Sequence, residues 1–391
     1  MSSSSTFRSV PPTAEVVIIG GGVMGASAAF HLAEAGVSDI VVVERGDLAC
    51  GSSGKPIGGV RAQFSDPLNI ELGSRSLRAF ENFPHRPGAD IRLDTVGYLF
   101  LLTTERQAAD FEVSVATQNT LGVPTRMVTP DEAHRLCPYV TTDGLVAAAY
   151  SPTDGHARPC LVVHGYADAA ARAGATFATH TAVTGIDTAG DRVTAVHTDR
   201  GRIDCATVIC TAGAWSGRIG DMVGLDLPVR PVRRQLAFTE RLSPPAPRIP
   251  FTIDFTSSAY FHNSDDGLLF GLADPRQADG FDTTWTPEWL ELFRAAVRGR
   301  APELADMKTV GGWAGLYEVT PDHNALIGRS GELVNFLYAT GFSGHGFLQA
   351  PAVGEILRDL HLDHEPFADI SPLGADRFRS GADTRPEAHV V

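Results

Sequence analysis

Four β-preferring residues, Val16-Val17-Ile18-Ile19, run straight into Gly20-Gly21-Gly22, and a small-residue stretch from Met24 to Ala35 follows and closes on Gly36. This pattern is a strand, a glycine turn and a helix. A second apolar run, Ile40 to Val43, ends in Glu44-Arg45, so the segment is one βαβ crossover with parallel strands. The glycines fall as Gly20-x-Gly22-x-x-Gly25, with Val23 and Met24 inside the motif. Gly20 permits the tight turn, Gly22 lets a phosphate reach the backbone, and Gly25 lets helix and strand pack closely. The helix start then offers unpaired N–H groups and a positive dipole end to a pyrophosphate. Glu44, with Arg45 beside it, stands at the second strand end, where a carboxylate accepts both hydroxyls of a ribose and repels a 2′-phosphate. An ADP-ribose moiety fits, as part of FAD or of NAD. For an isolated motif a plain glycine-rich turn is the alternative.

The chain has 391 residues, 43% of them hydrophobic, which at roughly 150 residues per domain suits two to three packed domains. Its net charge of -14 repels nucleic acid and anionic lipid surfaces, so neither is expected as a partner. Cys50, Cys137, Cys160, Cys205 and Cys210 show no C-x-x-C spacing, which argues for a reducing, cytoplasmic setting and against a metal site. Val16 to Leu32 holds four glycines and a histidine and is too short for a membrane anchor. Met1 to Thr13 reads as a Ser-rich flexible leader, with targeting as a minor alternative. A monomer and a homo-oligomer are both open.

Further along, Asp66-Pro67 starts a helix from Leu68 to Phe83. A separate layer from Ile91 to Tyr150 contains a strand, Tyr98 to Leu102, and a helix ahead of Gly122. Pro159 to Ala173 is helical, Val183 to Ile186 and Val193 to His197 flank a turn, and Ala206 to Cys210 is a buried strand. The stiff tract Ser243 to Pro247 is expected to cross between domains. Thr286-Pro287 starts a helix with Trp289, Phe293, Ala296 and Val297 on its apolar face. Leu333 to Ala339 is a strand, Gly341 to Gly346 a glycine-rich turn, and the last helix runs from Pro351 onward.

Four places spread from Val16 to about Leu360 carry a resemblance: GGGVMG with Glu44-Arg45, GSSGKPIGGVRAQF from Gly51 to Phe64, TAGAWS from Thr211 to Ser216, and GFSGHGF from Gly341 to Phe347. On these the chain resembles the D-amino-acid-oxidase-type family of FAD-dependent amine oxidoreductases, in particular its sarcosine oxidase β-subunit-like, glycine oxidase-like and proline dehydrogenase-like members. The resemblance implies an α/β plus α+β fold. A Rossmann-like FAD-binding domain with a parallel sheet takes up 14–90, 145–235 and 310–365, and a substrate domain on a mainly antiparallel sheet takes up 91–144 and 236–309. Flexible tails cover 1–13 and 380–391.

The residues agree with a flavin, whose long body needs several separate backbone approaches. Ser52 and Ser53 offer hydroxyls to the phosphates, Lys55 a charge, and Gly58-Gly59 room for the isoalloxazine ring. Ala212 and Gly213 pack against the dinucleotide. Trp215 reads first as core and second as a cofactor neighbour, and in the family the adenine lies against a strand near Val183. The turn with Gly341, Phe342, Gly344, His345 and Gly346, continued by Phe347, can aim backbone N–H groups at the flavin pyrimidine edge and stabilise charge at N1 and O2. His345 is either a ligand contact or a bystander.

An amino-acid substrate brings a carboxylate, and a buried arginine is its planar partner. The resemblance puts Arg61 in that role, although a surface position is the commoner fate of a single arginine. Tyr260 and Tyr317 either line the pocket or belong to the core. Three positions depart from the monomeric sarcosine oxidases: Gly315 replaces the cysteine that bonds the flavin, Leu348-Gln349 replaces a lysine after GFSGHGF, and Leu269 falls near the lysine that activates oxygen. FAD is therefore expected to be held noncovalently.

The expected reaction is oxidation of a C–N bond in a small secondary or primary amino acid, N-methyl or cyclic favoured. A hydride goes to flavin N5, giving an imine, with oxygen or another acceptor downstream. No strong base is evident, and His262, His323 and His345 are weak candidates. The alternatives are an NAD-dependent dehydrogenase and a flavin-carrying electron-transfer subunit of a larger amine dehydrogenase complex. The purified protein is predicted to be yellow and to release its flavin on acid denaturation; a colourless protein that binds NAD would exclude the flavin reading.

Overall fold

The computed structural model describes residues 10–265, 267–379 and 386–390. Thr13–Ile19 runs through the middle of an eight-stranded sheet, with Ile40–Val43 parallel on one side and Gly201–Cys210 parallel on the other. Val16 stands opposite Ile40 and opposite Thr207. Thr176–Ala178 and Phe336–Thr340 extend the parallel order outward, and Leu326–Arg329 closes one edge antiparallel. The meander Val183–Ala189 and Arg192–Thr198 branches from Gly201–Cys210.

A strand covered on both faces must be apolar at every position, which explains the unbroken runs Val16 to Ile19 and Ile40 to Val43. Val16, Ile18, Ile40 and Val42 pack with the helices Val23–Glu34, Pro159–Arg172 and Gly346–His361. Val17, Ile19, Val41 and Val43 face the meander and Ile219 instead. The first and last of those helices approach so closely that a Cβ on Gly354 would lie 2.2 Å from Ser27 Oγ.

The second sheet also has eight strands, in the order Thr309–Val319, Arg230–Thr239, Gly267–Leu272, Ala259–Ser264, Phe251–Asp254, Tyr98–Leu102, Ala147–Ser151 and Arg126–Val128. It is antiparallel except where Phe251–Asp254 meets Tyr98–Leu102. The helix Trp289–Val297 covers it, with Phe293 stacked on Phe270 at 4.2 Å. The expected pairing of a parallel and a mainly antiparallel sheet is thus what the chain forms.

Several boundaries differ from the sequence reading. Ala147–Ser151, Arg230–Thr239 and Thr309–Val319 belong to the second sheet, although 145–235 and 310–365 were expected with the first. Ser243 to Pro247 does not cross between domains, because the strands before and after it are both in the second sheet. The last helix begins at Gly346, so Pro351 lies inside it. Its neighbours are satisfied from outside the helix: Ala352 N–H donates to Ser76 Oγ at 3.1 Å, and the Ala350 carbonyl accepts from Ser27 Oγ at 2.8 Å.

The tails are docked where they are described. Val10 is buried and the Pro12 carbonyl accepts from Asp204 N–H, while Glu387 and His389 are buried against the body. The remainder of the expected tails, residues 1–9, 380–385 and 391, lies outside the described residues. Among the described residues no helix is long and apolar enough to cross a membrane, and all five cysteines are free.

Replacing Gly354 by Val is predicted to wedge the first and last helices apart and to cost about 1–3 kcal/mol in urea unfolding. An unchanged unfolding midpoint would show that the contact yields without strain.

Candidate active site

A cavity of about 480 Å³ runs from the first glycine turn, past the carboxyl ends of the parallel strands, to the second sheet. Gly20 has φ +115°, and a Cβ there would lie 2.4 Å from the Thr211 carbonyl oxygen. A Cβ on Gly25 would lie 1.9 Å from the Gly20 carbonyl oxygen; Gly25 does not line the cavity but lets the helix start against the strands. Ser53 Oγ accepts Val23 N–H at 2.8 Å, and the buried Ser52 Oγ has no partner among the described residues. Glu44 accepts Gly21 N–H of the turn at 2.8 Å on one oxygen and Gly46 N–H at 2.9 Å on the other, which fixes the carboxylate at the cavity wall with lone pairs left that could accept ribose hydroxyls. Met24, Ala212, Gly213 and Val183 line the same end.

Arg45 lies 3.6 Å over the Trp215 ring, and both line the cavity. Trp215 is only part-buried and stacks on Phe281 at 5.2 Å, which corrects its reading as core. The turn, the two serines and the Arg45–Trp215 pair together line an end of the cavity that could hold the phosphates and the adenosine.

The middle of the cavity is shaped by glycines meeting rings. A Cβ on Gly59 would lie 1.7 Å from the Tyr98 hydroxyl, and one on Gly344, at φ +105°, would lie 2.4 Å from the Tyr317 ring. Gly58, Phe342, Gly346 and Phe347 line the cavity as well, whereas Gly341 only turns the chain behind it. The loop carrying Lys55 is tied to the second sheet, since the Lys55 carbonyl accepts Trp313 Nε1–H at 2.8 Å. A Cβ on Gly315 would lie 2.6 Å from Lys55 Cβ, so a side chain at this position would have to push Lys55 aside. Glu318 also lines the wall and accepts from Thr340 Oγ1 at 3.0 Å; burial pushes its carboxyl up to about 7.

At the far end Arg61 is 6% exposed, which removes the surface alternative. It donates to the Gln63 carbonyl and, at 2.6 Å, to the His389 carbonyl, and lies 4.0 Å over the Phe64 ring. Tyr260 and Tyr317 line the cavity and interact with each other, and burial raises both phenols. His345 is 2% exposed, neither ring nitrogen has a partner among the described residues, and its ring stands edge-on to Phe64 at 5.5 Å. Burial, aided by the Arg61 charge, lowers it to about 3, so the imidazole is neutral.

Two candidate bases are corrected by their positions. His262 is turned to the Ile57 and Asn263 carbonyls and stacks on His156 at 4.1 Å, away from the cavity wall. His323, in a left-handed turn at φ +60°, does not line the cavity either. Of the lysine substitutes, Leu348 lines the wall, Gln349 is buried and donates to Asn69 at 3.1 Å, and Leu269 packs in the second sheet's apolar cluster.

Sequence reasoning missed Tyr98, Arg234, Phe251, Glu318 and Leu348 as lining residues. Arg234 lies 5.0 Å over Tyr317, and its Nε has no partner among the described residues. Nothing local marks it, because a strand arginine reads as surface. The GLYEVTPD stretch held a signal for Glu318: a carboxyl one residue from a candidate pocket tyrosine.

Behind Arg61, the fully buried Asp154 accepts Ala62 N–H at 3.2 Å, and burial raises its carboxyl from 3.8 to about 7. Between those two values the native protein keeps a proton that the unfolded chain has released, so this group's contribution to stability falls as pH rises through the window. Asp154→Asn is predicted to flatten the loss of stability between about pH 4 and 7 in urea unfolding. An unaltered pH slope would contradict it.

A family model described as FAD dependent oxidoreductase (DAO) matches residues 15–360. Among solved structures, L-proline dehydrogenase from P. horikoshii is 31% identical with a TM-score of 0.89, over 95% of this chain and 99% of that one. Glycine oxidase from Geobacillus kaustophilus is 27% identical with a TM-score of 0.84, over 94% and 99%. Mitochondrial dimethylglycine dehydrogenase of Mus musculus is 28% identical over 93% of this chain, which spans only 44% of that enzyme's length. The 4-methylaminobutanoate oxidase (formaldehyde-forming) of Paenarthrobacter nicotinovorans is 26% identical over 98% of this chain and 48% of its own length. A match reaching residue 360 leaves no support for the NAD-dependent alternative, which used the first crossover alone. With the phosphate cradle, the unpartnered Ser52 hydroxyl and the glycine-lined middle of the cavity all fitting the cofactor, the chain belongs to the FAD-dependent oxidoreductase family of the D-amino-acid oxidase type.

Proposed function

We propose that the protein oxidises the C–N bond of a small secondary or primary amino acid, with N-methyl and cyclic amino acids favoured. Bound FAD would supply the oxidant, taking a hydride from the C–H beside the amine so that the C–N bond becomes an imine that water hydrolyses. The observation that carries the reading is a buried arginine, Arg61, at the end of the cavity where Tyr260, Tyr317 and His345 converge. In that dry setting its guanidinium is a partner for a substrate carboxylate. Arg61 and Arg234 are cationic and His345 is neutral, so the far end favours a neutral amine over an ammonium. A free amine already has the lone pair the reaction needs, and no strong base is required of the protein.

The names of the similar proteins, carrying dimethylglycine, 4-methylaminobutanoate and proline, support an amino acid with a substituted nitrogen. Gly315, packed on Lys55, supports noncovalent FAD. The free cysteines suit a reducing compartment such as the cytoplasm. A second reading, a flavin-carrying electron-transfer subunit of a larger complex, is favoured by one observation: the chain spans under half of the dimethylglycine dehydrogenase. Either oxygen or another acceptor serves the first reading.

Anaerobic titration with a panel of N-methyl, cyclic and primary amino acids is expected to bleach the flavin with at least one; no bleaching by any favours the subunit reading. Arg61→Ala is predicted to raise KM for that substrate roughly 30-fold or more, about 2 kcal/mol, while the flavin spectrum stays in place. An unmoved KM would remove Arg61 as the anchor.

A further inference from the structure

The chain's own residues 386–390 lie against the far end of the cavity, and they hold Arg61. Glu387, 2% exposed, accepts from Ser65 N–H at 3.0 Å, Ser65 Oγ at 2.7 Å, Asp66 N–H at 3.1 Å and Asn69 Nδ2 at 3.0 Å. Ala388 N–H donates to Ser65 Oγ at 3.0 Å, and His389 N–H to Glu387 Oε1 at 2.9 Å. The His389 ring is stacked on Phe111 at 4.1 Å and packs on Phe100 and Phe255. This docking brings the His389 carbonyl to 2.6 Å from Arg61 Nη2 and Val390 into the cavity wall.

A carboxylate engages an arginine best through two parallel N–H···O bonds from one edge of the fork. Here both terminal nitrogens of Arg61 are taken by main-chain carbonyls, one from Gln63 two residues away and one from His389, 328 positions distant. The Gln63 bond is local and moves with the loop. The His389 bond depends on a separate segment, held by the Glu387 carboxylate, the stacked His389 ring and two main-chain donors, Glu387 N–H to the Asp322 carbonyl at 3.2 Å and Ala388 N–H to Ser65 Oγ. A carboxylate is a charged acceptor and outcompetes a neutral carbonyl for the same donor.

We propose that residues 386–390 form a strap that occupies the substrate-carboxylate position on Arg61 and must be displaced for a carboxylate to bind there. This rests on Arg61 being the anchor of the proposed function. The strap lowers apparent affinity by the fraction of molecules in which it is open, so loosening it tightens carboxylate binding without adding a contact.

The test uses FAD-loaded protein and acetate as the probe, with its Kd read from the perturbed flavin spectrum. Glu387→Ala and His389→Ala, which release the anchor and the stacked ring separately, are each expected to bind acetate about tenfold more tightly than the parent. In the parent, acetate is expected to speed hydrogen exchange at the Ala388 and His389 amides. Arg61→Ala is expected to abolish acetate binding both alone and combined with E387A. Unchanged or weakened binding in both E387A and H389A, with R61A still abolishing it, overturns the strap and leaves Arg61 as the anchor. Undiminished acetate binding by R61A overturns the anchor itself, and the strap with it.

Discussion

Two missing side-chain carbons set the distance on which the nucleotide half of the site depends. With no Cβ at Gly20 or Gly25, the helix Val23–Glu34 begins against the Gly20 carbonyl, and the turn passes directly over Thr211. Any larger residue would push the helix start away from the strand ends and carry its amides out of reach of a pyrophosphate. Thr211 reinforces the approach, since its N–H donates to the Ile19 carbonyl at 2.9 Å and its Oγ1 to the same oxygen at 3.1 Å. The central strands are locked at the point where the turn leaves them, and the cradle for the phosphates follows from that junction.

The other half of the cavity is built differently, by elements of two sheets that meet over loops. The loop from Gly51 to Gly59 belongs to neither sheet body, yet Trp313 holds it from the second sheet and Ser53 reaches the helix of the first. The GFSGHGF turn leaves the first sheet and lies on Tyr317 of the second. Between them the polar groups are kept dry, and dryness decides their charge: His345 is held neutral and Asp154 keeps its proton up to about pH 7, while Arg61 finds carbonyls. The result is an end of the cavity where the Arg61 guanidinium stands with a neutral His345 in front of the buried Glu387 carboxylate.

Much of this was legible in the chain because the signals are local. Gly20, Gly22, Glu44, Ser52, Ser53, the Gly58-Gly59 pair and the Gly344 turn each carry their meaning within a few residues, and the structure brings all of them to one cavity. Local signals misled where packing outweighs them. Pro351 looked like a helix start but is tolerated inside one because Ser76 and Ser27 serve the neighbouring backbone. Trp215 looked like core, as most tryptophans do, but lies under Arg45 at the cavity edge. His262 and His323 were as plausible as His345 in sequence, and only His345 reaches the cavity.

By itself, then, the sequence determined the crossover and the dinucleotide end, since these depend on backbone freedom and residue type over short spans, while the family of chemistry was legible only as a resemblance carried by four separate motifs. The tertiary structure alone decided that Arg61 is buried, that Arg234 and Glu318 join the wall, and that residues 386–390 return to Arg61. Those relations link positions up to 328 residues apart, and they arise from two sheets packing edge to loop, which no periodicity or spacing along the chain encodes.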